Sequence, residues 1–260
     1  MILLPDMLKQ NVLLQVESIK HYCLSGAPAD TAILLFAHAA EQEAKNKTFS
    51  SGKGARTNKK VARVLLEQTL TVLRSANLPL FTVYTAQQKG STFGERLANA
   101  FQDAFGAGYQ RVICVGSDCP TLSAADLRQA HQALQQHCMV VGPAADGGAY
   151  LIGMHIDCFE PESFSMLNWQ TEQVLQELAL YSFRQQARLN GFEMLEERAD
   201  VDSREDLSRV LERLPVLNRF KSVVLAILLE GAARAYKLRH VLRMPLERHL
   251  QKLLLRAPPH

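Results

Sequence analysis

The chain has 260 residues, of which 47% are hydrophobic and 21% are charged, and its formal net charge is only +3. This composition is typical of a globular protein with a sizeable core. A charge so near zero does not indicate a nucleic-acid partner, and we expect none. Asp6 and Lys9 interrupt the apolar opening segment, and no uncharged run approaches the roughly 20 residues of a membrane span, so we expect a cytoplasmic location.

The first predicted elements belong to an α/β pattern. The continuous apolar run over 31–37 predicts a buried parallel strand. The polar segment over 38–58 is rich in Lys, Ser and Gly and is predicted to be a long loop, of the kind that carries ligand-binding groups in α/β folds. A helix is predicted over 59–75, and a second strand over 80–84.

Strands continue to alternate with helices to about residue 214. Residues spaced by four predict the apolar face of a further helix: Phe93, Leu97, Phe101 and Phe105. The pattern then predicts, in order, a strand over 111–116, a helix over 123–136, strands over 138–142 and 149–154, and helices over 171–180 and from 203 onward. Such alternation favours a mostly parallel sheet with helices on both faces.

The cysteines give no sign of a metal site or of a disulfide framework. There are five of them: Cys23, Cys114, Cys119, Cys138 and Cys158. The count is odd, no CxxC pair is present, and the spacing fits no zinc site. We therefore expect reduced, partly buried thiols.

The predicted domain, residues 31–214, has an extension over 1–30 and a tail over 215–260. Residues 219–260 contain nine Lys or Arg against two Asp or Glu, which predicts a basic amphipathic helical tail. Three roles stay open for residues 217–257. They pack on the chain's own domain, form a homodimer contact, or make peripheral contact with an anionic membrane surface.

An acidic residue follows directly on the third predicted strand, in the segment Gly116-Ser117-Asp118-Cys119-Pro120. Ligands bind at the carboxyl edge of open α/β sheets, and a carboxylate there suits Mg²⁺ or Mn²⁺ that bridges phosphate oxygens. The alternative is an Asp that only hydrogen-bonds its own turn. We interpret Asp118 as a metal ligand and Ser117 as a phosphate contact beside it.

A second candidate segment runs from Gly142 to Tyr150 and pairs an acid with two glycines. Gly147 and Gly148 permit close approach of the backbone to a ligand, here the phosphate or nucleotide. Asp146 is a candidate second metal ligand, sugar-hydroxyl acceptor or general base. The alternative is a plain hairpin turn, because Asp-Gly is a strong hairpin signal.

Basic residues cluster in and just after the first loop. They are Lys45, Lys47, Lys53, Arg56, Lys59 and Lys60. Such a cluster suits a diphosphate, and Lys45, Lys47 and Arg56 are the candidates for that contact. The segment lacks the GxxxxGK[ST] spacing of a P-loop. The alternative for each residue is a solvated basic loop.

These segments together resemble one bacterial family. The matching segments are Phe93-Gly94-Glu95-Arg96-Leu97, Gly116–Pro120 and Gly142–Gly153, followed by Leu167–Thr171 and Asp200–Ser203. Three ordered motifs are more specific than any one alone. Over roughly residues 31 to 214 the chain is identified as a member of the glycosyltransferase-like family of radical-SAM/selenodomain-associated transferases, long filed as a domain of unknown function.

The resemblance implies a GT-A-like, Rossmann-like fold, as in nucleotide-diphospho-sugar transferases, with a more distant likeness to nucleotidyltransferases. It implies a nucleotide over the amino-terminal half of the sheet, with Glu95 and Arg96 among its contacts. It also implies that Asp118 holds a divalent metal and that Asp146 lies across the pocket, near the donor sugar or the acceptor.

The chain departs from the family's pattern at two places. Many relatives carry Lys-x-Pro-x-x-Gly-x-x-Lys-Thr-Arg after the first strand, whereas the segment over 36–49 has no Pro-x-x-Gly. In addition, the metal loop has a single acid instead of Asp-x-Asp. A second ligand must then come from elsewhere, with Asp146 as the candidate, or from phosphate and water.

The expected function is metal-dependent transfer of a glycosyl group from a nucleotide-sugar to an unknown small-molecule or lipid acceptor. Mg²⁺ or Mn²⁺ on Asp118 is expected to neutralise the charge of the departing diphosphate, and Asp146 is the candidate catalytic base. Two alternatives stay open. One is nucleotidyl transfer from an NTP to a phosphorylated small molecule, and the other is a non-catalytic nucleotide-binding homologue.

Overall fold

The structure is a computed structural model that describes residues 30–50, 54–185 and 189–242, with residues 232–242 described by their backbone alone. Several predictions therefore fall outside the described residues. They are the extension before residue 30, the contribution of Lys53 to the basic cluster, and the tail beyond residue 242. The division of the chain at 30 and 214 stays a prediction.

Six strands form one sheet in the order β2-β1-β3-β5-β4-β6. The strands β1 to β6 are Thr31–Ala37, Leu80–Tyr84, Arg111–Val115, His137–Pro143, Ala149–His155 and Asn190–Met194. All neighbours are parallel except that β5 runs antiparallel to both β3 and β4. The predicted α/β fold is confirmed. The edge strand β6 was not predicted, because its sequence NGFEM has no apolar run.

Eight helices surround this sheet in the described part of the chain. The helices α1 to α8 are Ala40–Asn46, Ala55–Ser75, Phe93–Gly106, Ala124–Ala133, Pro161–Ser165, Val174–Arg184, Arg204–Arg213 and Arg219–Leu242. Ser123 and Ser203 cap α4 and α7 as the sequence predicts, each accepting a hydrogen bond from the backbone N–H three residues on.

Helix α1 corrects the prediction of one long loop over 38–58. Its buried residues Ala40 and Glu43 lie three positions apart and therefore on one face. Ala40 belongs to a hydrophobic cluster with Phe49 and Val61, and Ala44 packs against that cluster. The short apolar face is only one turn long, which is why a mostly polar sequence concealed it.

The core consists of two layers, one on each side of the sheet, and successive residues of a strand contribute side chains to opposite layers. Ala32 and Leu34 of β1 belong to one buried cluster, whereas Ile33 and Leu35 belong to another. This follows from the two-residue period of a strand, and it explains why β1 reads as a continuous apolar run. On the first side lies α3, whose Phe101 is fully buried.

Strands β4 and β5 form an antiparallel hairpin that brings two cysteines together. Cys138 and Cys158 form a disulfide with a Cα–Cα distance of 5.7 Å. The expectation of reduced thiols is wrong for this pair, because the hairpin places the start of β4 beside the turn that follows β5. Cys114 and Cys119 are free and buried, as expected.

Helix α8 packs on the chain's own domain through one face. Phe220 and Val224 are buried in the cluster that also contains Val61, Val210 and Leu211. Other apolar residues nearby stay exposed, namely Val216, Leu217, Val223, Leu225 and Leu229. Contact of residues 217–257 with a second copy or a membrane surface stays a prediction. No helix in the described ranges is long and apolar enough to cross a membrane.

The substitution Phe101→Ala tests this account of the core. The side chain is fully buried and packs against Phe105, Phe159 and Phe164, so its removal leaves a cavity. We expect the free energy of unfolding, measured with urea, to fall by about 3–5 kcal/mol. Phe183→Ala is the matched control at an exposed position. An equal loss in both variants would contradict the assignment of the core.

Candidate functional site

Four loops meet at one edge of the sheet, because every strand except β5 runs in the same direction. These loops follow β1, β3, β4 and β6 and comprise residues 38–50, 116–120, 144–148 and 195–203. Open α/β sheets bind their ligands at this carboxyl edge. The candidate site therefore lies here, and three of its four loops contain residues predicted from the sequence.

The last of these loops, residues 195–203, runs across the ends of the other strands, and we call it the crossing segment. Its backbone bonds β4 and the loop after β3 in turn: Leu195 N donates to Val141 O (2.8 Å), Arg198 N to Pro143 O (3.0 Å) and Val201 N to Asp118 O (2.9 Å). Its last residue forms a parallel bridge with Thr48 in the loop after β1. The crossing segment thus brings Asp200 and Asp202 beside Asp118 and Lys47.

The ammonium group of Lys47 lies among three carboxylates. Its Nζ is 2.8 Å from Glu43 Oε1, 2.9 Å from Asp118 Oδ2 and 2.7 Å from Asp202 Oδ1. Burial by itself lowers the pKa of Lys47, but the negative charges of Asp118, Glu43 and Asp202 outweigh burial and raise that pKa above its usual range. The group is therefore a firmly charged cation at the carboxyl edge.

The backbone around Lys47 is held by Asn58, a buried residue of α2. Asn58 Nδ2 donates to Lys47 O (3.2 Å), and Asn58 Oδ1 accepts from Phe49 N (3.2 Å) and Ser50 Oγ (2.9 Å). One side-chain amide thus satisfies three polar groups of the loop after β1. This fixes where the lysine leaves the backbone, whereas its four methylene groups keep the ammonium adjustable.

Asp200 adds a fourth carboxylate, and we call Glu43, Asp118, Asp200 and Asp202 the acid cluster. The Oδ1 atom of Asp200 is buried and has no hydrogen-bond partner in the structure. Burial, together with the charges of Asp118, Asp146 and Asp202, raises the pKa of Asp200 to about 8. A buried carboxylate oxygen without a partner is a vacant acceptor that points to a missing proton or cation.

The loop after β4 is a tight turn of the hairpin, and Asp146 stabilises it. Asp146 Oδ1 accepts a hydrogen bond from Gly148 N (2.9 Å), and Gly147 N donates to Ala144 O (3.0 Å). Gly147 has φ +89°, and a Cβ there would meet Glu172 O at 2.9 Å, so the turn requires glycine. Asp146 is exposed at the rim of the edge, and its charge reaches Asp200.

The remaining predicted residues lie apart from the acid cluster or serve local structure. Lys45 and Arg56 are exposed, on α1 and at the start of α2. Glu95 caps its own helix, accepting from Ser91 N (2.6 Å) and Thr92 N (3.3 Å). Arg96 donates to Ser91 O (3.3 Å). Ser117 is buried directly before Asp118. Of the predicted set, the structure joins Lys47 to Asp118. Nucleotide or phosphate contact by Gly147, Gly148 and the others stays a prediction.

The chemistry of the acid cluster fits a divalent metal, although its present arrangement holds an ammonium. Carboxylate oxygens are the ligands that Mg²⁺ and Mn²⁺ prefer, and Asp200 Oδ1 lacks a partner. Over the ranges that the structure describes, however, no three His, Cys, Asp or Glu side chains are arranged to hold a metal ion. In their place, Lys47 Nζ is in contact with both Asp118 and Asp202.

Sequence reasoning missed Glu43, Asn58, Asp200 and Asp202 as members of the site. The segment Asp200–Ser203 matched the family but carried no assigned role, because nothing in a linear pattern places it beside residues some 80 to 150 positions earlier. The available signal was two acids spaced by two residues just before a helix cap. Glu43 was hidden with α1 in the predicted loop.

The pKa of Asp200 gives a testable dependence of stability on pH. In the unfolded chain this carboxyl titrates near its ordinary 3.8, whereas in the folded protein it titrates near 8. Between these values the folded state binds the extra proton, so stability falls as the pH rises through the window. The slope attributable to Asp200 is at most about 1.4 kcal/mol per pH unit.

We expect Asp200→Asn to flatten this slope and to raise the free energy of unfolding most at the alkaline end. Urea unfolding in the presence of EDTA, measured across the window for both proteins, checks this. Glu67→Gln, at an exposed carboxylate of α2 away from the acid cluster, is the control. Identical pH profiles for the wild type and Asp200→Asn would show that Asp200 is not the source of the pH dependence of stability.

Comparison with known proteins supports the family predicted from the motifs. Residues 53–171 match the family described as "Uncharacterized protein conserved in bacteria (DUF2064)". The chain is also similar to a protein of Desulfovibrio desulfuricans G20 that was proposed to be a nucleotide-diphospho-sugar transferase. The two share 27% identity with a TM-score of 0.65, over 79% of this chain and 96% of that one. The expected GT-A-like fold is thereby confirmed.

More distant likenesses include a cytidylyltransferase from Leptospira borgpetersenii, with 13% identity and a TM-score of 0.44 over 77% of this chain and 94% of that one. Another is the Mycobacterium tuberculosis protein Rv0371c in complex with manganese, with 13% identity and a TM-score of 0.39 over 71% and 99%. Both are too distant to bear on substrate or metal. No protein of curated function matches the sequence.

Proposed function

We propose that the chain is a divalent-metal-dependent transferase that takes a glycosyl group from a nucleotide-diphospho-sugar. The observation that carries the proposal is the acid cluster at the carboxyl edge, where Asp118, Asp200 and Asp202 converge with a lysine that suits a diphosphate. The similarity to the D. desulfuricans protein, proposed to be such a transferase, supports the same reading.

The residues of the site have separate proposed roles in holding the metal and the diphosphate. Asp118 and Asp202 are the ligands proposed for Mg²⁺ or Mn²⁺, with Asp200 beside them. Asp202 thus replaces Asp146 as the candidate second ligand. A bound metal supplies positive charge against the negative charge that develops on a departing diphosphate. Lys47 supplies a second positive charge for the same group. Ser117, buried next to Asp118, lies where it can support that ligand.

Asp146 keeps the role of candidate base. It is exposed at the rim, beside a turn that glycine makes narrow, so an acceptor hydroxyl can reach it from solvent. Its Oδ1 holds the turn through Gly148 N, which fixes the direction of the carboxylate. A carboxylate positioned in this way is suited to take the acceptor's proton as the new glycosidic bond forms.

The substitutions Asp118→Asn and Asp202→Asn test the metal role. Each removes a charged oxygen ligand while keeping the side chain's shape. We expect Mn²⁺ affinity to fall by at least about 10–100-fold, the loss typical when only a hydrogen-bond partner of a ligand is removed. Titration of Mn²⁺ followed by electron paramagnetic resonance measures this directly. Asp157→Asn, an exposed carboxylate outside the acid cluster, is the matched control. Mn²⁺ binding that survives unchanged in both cluster variants would refute the proposed metal role.

The products separate the proposed reaction from nucleotidyl transfer, which uses the same metal chemistry. With a panel of UDP-, GDP- and ADP-sugars and Mn²⁺, we expect release of a nucleoside diphosphate, with water accepting the glycosyl group where no acceptor is added. Release of pyrophosphate from an NTP would instead identify a nucleotidyltransferase. Binding of nucleotide-sugar by calorimetry without turnover of any donor would identify a non-catalytic homologue.

A further inference from the structure

We propose that Lys47 is a resident cation of the acid cluster, which leaves the carboxylates when a divalent metal and the donor's diphosphate bind together. This inference rests on the proposed function and deepens it. It states how the site is loaded: metal and nucleotide diphosphate bind cooperatively. The metal replaces the Lys47 ammonium on the carboxylates, and the diphosphate gives that ammonium a new anionic partner.

The first step in the argument is the saturation of the ammonium. Lys47 Nζ has three hydrogens and faces three carboxylate oxygens within 2.9 Å, from Glu43, Asp118 and Asp202, with Val201 O at 3.4 Å. An ammonium carries three donors and no acceptor, so these partners use all of its hydrogen-bonding capacity. While the ammonium stays in this position, it has no free N–H donor for a phosphate.

The second step is that the ammonium and a metal compete for the same oxygens. Asp118 and Asp202 are the proposed metal ligands, and both are in direct contact with Nζ. A divalent ion on those carboxylates would lie within a few ångströms of a positive charge in a partly buried site, where repulsion is weakly screened. The two cations therefore exclude each other from the cluster.

The third step is that the ammonium group of Lys47 can move while its backbone stays in place. Asn58 holds the backbone at Lys47 O and Phe49 N with two hydrogen bonds and accepts a third from the Ser50 hydroxyl, so the Cα position is fixed. The flexible side chain can then swing its ammonium without disturbing α1 or the crossing segment. Outside the acid cluster the ammonium needs a new anion, and the diphosphate of a nucleotide-sugar provides one at the same edge.

Cooperativity follows from these three steps. A metal that binds alone must displace the ammonium from three carboxylates and leave it without a partner. A nucleotide diphosphate that binds alone meets the acid cluster with its cation already engaged. When both bind, the metal takes the carboxylates and the lysine takes the phosphates. Linkage requires that each ligand raises the affinity of the other by the same factor.

The experiment titrates Mn²⁺ by electron paramagnetic resonance into the wild type, Lys47→Met and Lys89→Met, with and without UDP, GDP or ADP. In the wild type we expect the best of these nucleotides to tighten Mn²⁺ binding by about 5–150-fold, the usual range of such coupling. In Lys47→Met we expect Mn²⁺ alone to bind at least about tenfold tighter than in the wild type, and the effect of the nucleotide to shrink towards onefold. Lys89→Met, at an exposed lysine that pairs with Asp103 outside the acid cluster, should match the wild type.

Thermal unfolding of the same proteins keeps the test valid if removal of the lysine weakens the fold. We expect Lys47→Met to melt below the wild type in EDTA and to recover more than the wild type does on addition of Mn²⁺. Lys47→Gln, which keeps hydrogen-bond donors without charge, replaces the methionine variant if that variant does not fold.

The outcomes separate this inference from the proposed function. If Asp118→Asn abolishes Mn²⁺ binding but Lys47→Met binds Mn²⁺ no tighter than the wild type and keeps the nucleotide effect, Lys47 is not a resident cation, while the metal site stands. If the wild type binds no Mn²⁺ with or without any of the nucleotides, the proposed function fails and this inference fails with it.

Discussion

The balance of charge at the carboxyl edge of the sheet is the constraint on which the rest of the site depends. Four carboxylates, from α1, from the loop after β3 and from the crossing segment, converge on a partly buried volume. Carboxylates so close together repel each other and lose hydration, so the folded state requires a compensating cation or proton. In this structure Lys47 is that cation, and the raised pKa of Asp200 shows that the compensation is incomplete.

The fold explains how this concentration of charge is tolerated. The acids are held by backbone hydrogen bonds that do not depend on their ionisation, such as Val201 N to Asp118 O and Arg198 N to Pro143 O. Arg198 also anchors the crossing segment from the side, with its guanidinium 2.8 Å from Asp126, which in turn caps α4. A rigid framework beneath an electrostatically unfavourable cluster is typical of sites that bind a ligand of opposite charge.

Much of the framework could be predicted from the sequence, whereas the centre of the site could not. The apolar run of β1 and the four-residue spacing of Phe93 to Phe105 are local patterns, and each formed the predicted element. Asp118 was identifiable because it follows a buried strand directly. Its partners were not. Glu43 lies on a short, mostly polar helix whose apolar face is only one turn long. Asp202 reaches the site on the crossing segment, whose path is set by tertiary hydrogen bonds. The disulfide between Cys138 and Cys158 was not predicted for the same reason. The two cysteines are brought together by the β4–β5 hairpin and belong to no sequence motif.

The central claim is that a divalent metal takes the place of the Lys47 ammonium in the acid cluster. A crystal structure with Mn²⁺ and a nucleoside diphosphate tests it most directly, because manganese is located by its anomalous scattering. The account predicts a manganese peak in coordination contact with Asp118 and Asp202, with Lys47 Nζ turned onto the diphosphate. A structure in which Lys47 stays on Asp118, with manganese elsewhere or absent while the nucleotide is bound, would contradict it.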